Sequence, residues 1–170
     1  MTTQSDQWDL PEAARRRRAA GIYGTIVTAA VFAAAGDELT SDQLAISVFV
    51  TLLVYWLAEQ YAYTLARYAT PRHLPTSAQV HSSLATTWPM VSSTFIPMAA
   101  LLVADVLGAS THVASDIGLG VAIALLVVHG WSAGRAAGLR GTRLVVVVLI
   151  AGALGAIMVS LKAGLELLGH

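Results

Sequence analysis

From residue 144 to residue 168 the chain reads LVVVVLIAGALGAIMVSLKAGLELL, an apolar run whose only charged residues are Lys162 and Glu166. A bilayer core about 30 Å thick is crossed by a helix of about 20 mainly apolar residues. In hydrocarbon such a run has little choice of form, since each backbone N–H and C=O must be satisfied within the segment itself. Similar runs recur upstream: AAGIYGTIVTAAVFAAAG (19–36), LAISVFVTLLVYWLAEQYAYTLA (44–66), LATTWPMVSSTFIPMAALLVADVLG (84–108) and VASDIGLGVAIALLVVHGWSAG (113–134). The first is short and rich in Ala, whereas the other four are long enough to cross. Only 12% of residues are charged, too few to coat a water-facing surface, which takes roughly a quarter to a third. The sequence therefore predicts an all-α integral membrane protein, a bundle of five transmembrane helices. Residues 1–18 form a cytoplasmic helical arm and 19–170 a single multi-span domain.

The first span has a competing interpretation. Arg15 to Arg18, an apolar run and Ala33-Ala34-Ala35 together have the layout of a secretory signal, and cleavage there would leave four helices. An uncleaved helix is the preferred reading. Asp9 and Glu12 have capping-box spacing, and Pro11 suits a first helical turn.

Orientation follows from the basic residues. With five spans and an inner N-terminus, the inner segments hold Arg15, Arg16, Arg17, Arg18, Arg67, Arg72, Arg135, Arg140 and Arg143, which is every Arg in the chain. The outer side holds Asp37, Glu38, Asp42, Asp105, Asp116 and Glu166, with Lys162 as its one base. Lys and Arg in short loops set topology, so the N-terminus is expected in the cytoplasm and the C-terminus outside.

Ionisable groups inside lipid are the first place to look for function, because each costs about 2.5–3.5 kcal/mol to insert and usually faces the bundle interior or water. Glu59 follows the outer start of its span, Leu44, by fifteen residues, and His129 follows Val113 by sixteen. The two are thus expected at one level, as partners. Tyr55, Glu59 and Tyr63 recur every four residues on one helix face, and Arg67 extends that stripe to the inner surface. The same tyrosines also suit an interfacial aromatic belt. In the third span Pro89 and Pro97 are expected to kink a helix rich in Ser and Thr. Ser93, four residues before Pro97, is placed to help satisfy the freed carbonyl. A helix start at Thr76, with Gln79 three residues on, would put His81 near the interface.

Asp105 and Lys162 are expected as an outer ion pair. Gly130, Gly134 and Gly138, and likewise Gly152, Ala156 and Ser160, have the small-residue spacing that lets helices approach closely, within one chain or between copies. Arg67, Arg72, His73 and His81 suit contact with anionic lipid headgroups.

Several chemistries are absent from the sequence. It has no Cys, which excludes disulfides, thiolate catalysis and Cys-based metal sites. Neither a phosphate-binding glycine loop nor an H-E-x-x-H pair occurs, so no metal site is assigned and the cofactor stays unknown. Zero formal net charge argues against a nucleic-acid partner. The expected partners are the lipid bilayer and either further copies of the chain or another membrane protein. The leading functional expectation is a transporter or channel for a small ion or proton in the cytoplasmic membrane. A non-catalytic assembly or partner subunit is the alternative, and a lipid-acting enzyme using Glu59 and His129 as acid and base is a weaker third.

Overall fold

The computed structural model describes residues 12–35, 39–68 and 76–168. Asp9, Pro11, Asp37, Glu38, Arg72 and His73 lie outside them. The described residues are all-helical: α1 (Glu12–Ala34), α2 (Ser41–Tyr68), α3 (Ser77–Thr87), α4 (Pro89–Ser92), α5 (Phe95–Val106), α6 (Thr111–Ala136) and α7 (Thr142–Leu168). Four stretches are long and apolar enough to cross a membrane: Ser41–Ala66, Ser77–Val106, Thr111–Ala136 and Thr142–Gly164. The chain accordingly has the build of a multi-pass membrane protein. α1 is not among the four, because the Arg run occupies its first turns.

Side-chain hydrogen bonds fix several helix starts. Thr76 caps α3 with a complete capping box, its hydroxyl accepting from the Gln79 amide while the Gln79 side chain accepts from Thr76 N–H. Thr40 and Gln43 make the same exchange at the head of α2. Ser110 Oγ accepts from Val113 N–H at the head of α6. Such caps are worth about 1 kcal/mol each.

The stretch Ser77–Val106 is one path in three pieces, as its prolines require. Pro89 opens α4 and Pro97 lies buried in α5. Between them the ladder tightens: Thr94 N–H reaches Val91 O at 3.2 Å rather than Met90 O. The carbonyl of Met90 is thereby freed, and Ser93 Oγ donates to it at 3.0 Å. So Ser93 does serve the break, though at the Met90 carbonyl.

α1 is the hub, packing against α2, α3, α4, α6 and α7. Its buried residues are small or hydroxylated for most of its length: Ala20, Gly21, Gly24, Thr25, Thr28 and Ala29, then Phe32. Thr25 and Thr28 return their hydroxyl protons to the carbonyls of Gly21 and Gly24, so both are buried without needing an outside partner. A Cβ on Gly24 would stand 2.0 Å from Met90 O, on the exposed carbonyl of the broken helix. Phe32 fills the space left by Gly118 of α6, where a Cβ would meet its ring at 3.0 Å.

Four-residue stripes complete the packing. In α2, Leu44, Val48, Leu52, Trp56 and Gln60 are buried, while Ile46, Val50, Val54, Leu57, Tyr61 and Leu65 face outward. In α6 the buried stripe is Ala114, Gly118, Ala122, Leu126, Gly130 and Gly134. The small inner stripe of α6, with Val113, Ile117 and Val128 outside, suits association in lipid by close packing.

The structure takes Gly138 out of the first seam and leaves the Gly152 edge with no described helix against it. Gly130 and Gly134 do face α7, where a Cβ would meet Ala151 at 3.2 Å and Leu144 at 2.7 Å. Gly138, however, has φ +73° and ends α6: its N–H bonds Arg135 O, and Leu139 N–H bonds Gly134 O. It is a left-handed helix stop, which glycine adopts without Cβ strain. On α7 the close-approach residue is Gly155, against Ile123, whereas Gly152 meets open space and Ala156 is exposed.

Gly24 and Gly152 make a matched test of this packing. Gly24→Ala should destabilise the detergent-solubilised protein by about 1–3 kcal/mol, the usual cost of overpacking, read as a lower unfolding temperature. Gly152→Ala should change it little or raise it slightly.

Candidate functional site

Two tyrosines of α2, two turns apart, contact α1 toward the Arg-bearing end. The Arg16 guanidinium carbon lies 3.2 Å from the centroid of the Tyr63 ring. Further along, the hydroxyls of Tyr23 and Tyr55 are 2.6 Å apart and their rings stack at 5.3 Å. These two contacts fix the antiparallel register of α1 and α2, and Glu59, midway between Tyr55 and Tyr63, falls opposite Ala19 and Ala20.

His129 reaches α1 from another side. Its Nε2 lies 4.0 Å from the position a Cβ would take on Gly21. At about 1.5 Å of rise per residue, Glu59 and His129 therefore sit within about 3 Å of one level, as their spacing suggested. They do not pair. On α1, Arg16 and Tyr23 contact α2, whereas Gly21 and Gly24 face α4 and α6, so the two groups reach different sides of α1. Glu59 Oε2 and His129 Nδ1 are both buried without a hydrogen-bond partner. Thr94 and Ser115 hydroxyls share that state. Buried polar atoms without partners are rare and call for a reason.

The feature that sequence reading missed is a buried polar ladder joining α2 and α3. Thr87, fully buried, accepts from Trp56 Nε1 at 3.0 Å and from Gln60 Nε2. It donates onward to the Ser83 carbonyl at 3.1 Å. Ser83 Oγ donates to Gln60 Oε1 at 2.8 Å, and Arg16 Nη1 approaches Ser83 Oγ at 3.5 Å. Trp88 packs edge-on against Trp56 at 5.4 Å. The signal was present as two four-residue pairs, Trp56/Gln60 and Ser83/Thr87, at similar distances from the loop that joins their helices. A polar pair at that spacing on each of two neighbouring spans is a hydrogen-bonding match.

This ladder floors a cleft of about 330 Å³ lined by Glu12, Arg16, Tyr63, Gln79, Ser83 and Thr86, among others. Tyr63, in its lining, stands about one helical turn from Glu59 along α2.

The opposite end differs from expectation. Asp105 and Lys162 do not pair. Lys162 Nζ contacts Asp116 Oδ1 at 2.5 Å, with His112 Nδ1 3.2 Å from Asp116 Oδ2. Asp105 Oδ1 instead accepts from Ser41 Oγ at 2.6 Å. The cause is topology: α7 packs on α6 and α1, while the end of α5 lies beside the first turn of α2. A second cavity of about 310 Å³ borders the Lys162–Asp116 pair. No group of His, Asp or Glu able to hold a metal ion occurs among the described residues.

Family models, curated proteins and solved structures yield no match to this chain, and the candidate site rests on its own geometry.

Thr87 is the acceptor on which both Trp56 and Gln60 depend. Thr87→Val should leave two buried donors unsatisfied and cost about 2–4 kcal/mol, at roughly 1–3 for each orphaned group. In a thermal-unfolding cycle with Gln60→Leu, the double variant should lose clearly less than the sum of the singles.

Proposed function

We propose that the chain crosses a cytoplasmic membrane five times, with its Arg-bearing end inside and its C-terminus outside, and moves a proton or small ion through the α1–α2 seam. Three features support the fifth crossing. α1 is one unbroken helix, it packs along the bundle, and Ala19 to Ala34 supply about 24 Å of rise. Snorkelling of Arg18 makes up the remainder.

One observation carries the functional reading: Glu59, inside a long apolar helix, keeps a buried carboxylate oxygen without a partner among the described residues. An ionisable group held so in lipid is expensive and typically belongs to an ion or proton path. An exchangeable occupant, whether a proton, a cation or water, accounts for the orphaned atom. Tyr63 links Glu59 to the cleft, and Tyr55, bonded to Tyr23, continues the polar stripe toward mid-membrane. His129 is a second polar ring at the same level, on another side of α1. Ser93 and the break at Pro89 and Pro97 give the third transit a hinge beside α1. A chain of this size would work as a homo-oligomer.

A second reading, a partner subunit acting through helix contacts, is favoured by α7. Its Gly152, Ala156 and Ser160 edge is open on the outside of the bundle, ready for another helix.

Proteoliposome flux separates the two. Glu59→Gln should reduce proton or cation flux at least tenfold while the solubilised protein keeps its unfolding temperature, and Gly152→Leu should leave flux largely intact. Normal flux in Glu59→Gln, with loss of a co-purifying protein in Gly152→Leu, would reverse the assignment.

A further inference from the structure

Among the described residues, the cleft at the Arg-bearing end holds a guanidinium, that of Arg16, whose N–H groups are largely uncommitted. The hydroxyls of Ser82, Ser83 and Thr86 are turned inward, donating to Gln79 O, Gln60 Oε1 and Ser82 O. Arg16 is different. Tyr63 covers one face of its guanidinium at 3.2 Å, and its one hydrogen-bond acceptor among the described residues is Ser83 Oγ, distant at 3.5 Å. A guanidinium has five N–H donors, all in its plane. Stacking uses the face and leaves the edge, the part that binds a carboxylate or phosphate through two parallel hydrogen bonds.

The surroundings select the sign of the ligand. Residues 12–18 hold four Arg and one acid, Glu12, a net charge of 4 − 1 = +3. Glu12 shares the cleft with Arg16, but it is exposed and outnumbered. The cavity, about 330 Å³, has room for a phosphate with a small polar substituent. Ala13 and Val80 in its lining, and outward-facing Tyr61 and Leu65 on the adjoining turn of α2, place apolar surface beside the polar seat.

From this geometry we propose that the cleft between α1, α2 and α3 is an oxyanion seat in which the edge of Arg16, held flat by Tyr63, binds a phosphate group. The phosphate belongs to an anionic phospholipid headgroup or is free in solution. Bound there it would bridge the Arg run of α1 to the N-terminal half of α3. The inference rests on the cleft alone and does not require that the protein transport anything.

The test uses the full-length protein in neutral detergent, with dioleoylphosphatidylglycerol, dioleoylphosphatidylcholine or inorganic phosphate added. Readouts are unfolding temperature and lipid retention by native mass spectrometry. Phosphatidylglycerol should bind and stabilise, and phosphatidylcholine should do so at least tenfold more weakly. Arg16→Gln should weaken phosphatidylglycerol binding at least tenfold. Arg16→Lys, which keeps the charge but loses the planar edge, should weaken it severalfold and serves if the Gln variant does not fold. Arg17→Gln, at an exposed position of the same run, should stay within twofold. Stabilisation by inorganic phosphate that Arg16→Gln abolishes would assign the seat to a free anion, and its lack would assign it to the lipid. Equal loss in Arg17→Gln and Arg16→Gln, or no loss in either Arg16 variant, would overturn the seat.

Discussion

Hydrocarbon offers a polar atom no partner, and the arrangement of this molecule follows from that fact. Burial brings no hydrophobic gain when the outside is as apolar as the inside, so helices associate through close contact and through polar groups that find each other. α2 shows both rules on one helix. Its outward stripe of Ile46, Val50, Val54 and Leu57 is what a soluble protein would hide, and its inward stripe ends in Trp56 and Gln60, bonded to Thr87. A very tight approach, Gly24 on the Met90 carbonyl, occurs where the prolines of the Ser77–Val106 stretch have freed a backbone acceptor. Break and glycine are therefore two halves of one contact.

The same constraint explains why the least apolar helix is central. Surrounded by five other elements, α1 meets little lipid and can be built from Gly, Ala and Thr. Its low apolarity, which gives it the look of a secretory signal, reflects its protected position. Removing it after Ala35 would uncover Gly118 and the Met90 carbonyl and take Arg16 from the Tyr63 ring. The polar cleft, the Glu59 level and the His129 contact are likewise all defined by which face of α1 each helix touches.

What was legible in the sequence had a local cause. The apolar runs of the last four spans, the Thr76–Gln79 cap and the break at Pro89 and Pro97 depend on neighbours within a few residues. Levels were legible too, since rise per residue is constant: Glu59 and His129 do lie at one height. Azimuth was not. Whether two groups at equal height meet depends on which sides they reach: Glu59 and His129 reach different sides of α1, and the bundle order separates Asp105 from Lys162. Spacing also cannot distinguish a packing glycine from a terminating one. Gly134 and Gly138 read alike, yet the first lies under Leu144 and the second takes a positive φ. The Arg16–Tyr63 stack escaped notice because the side chains come from different spans.

The account centres on α1 crossing the membrane inside the bundle, and side-specific labelling tests it most directly. The chain has no Cys, so single cysteines at the exposed positions Ala13, Asp42 and Ala137 report without interference. With a membrane-impermeant maleimide on intact cells, Asp42→Cys should label, whereas Ala13→Cys and Ala137→Cys should label only after the membrane is opened. Labelling of Ala13→Cys and Asp42→Cys from the same side would mean that α1 does not cross, and would contradict the account.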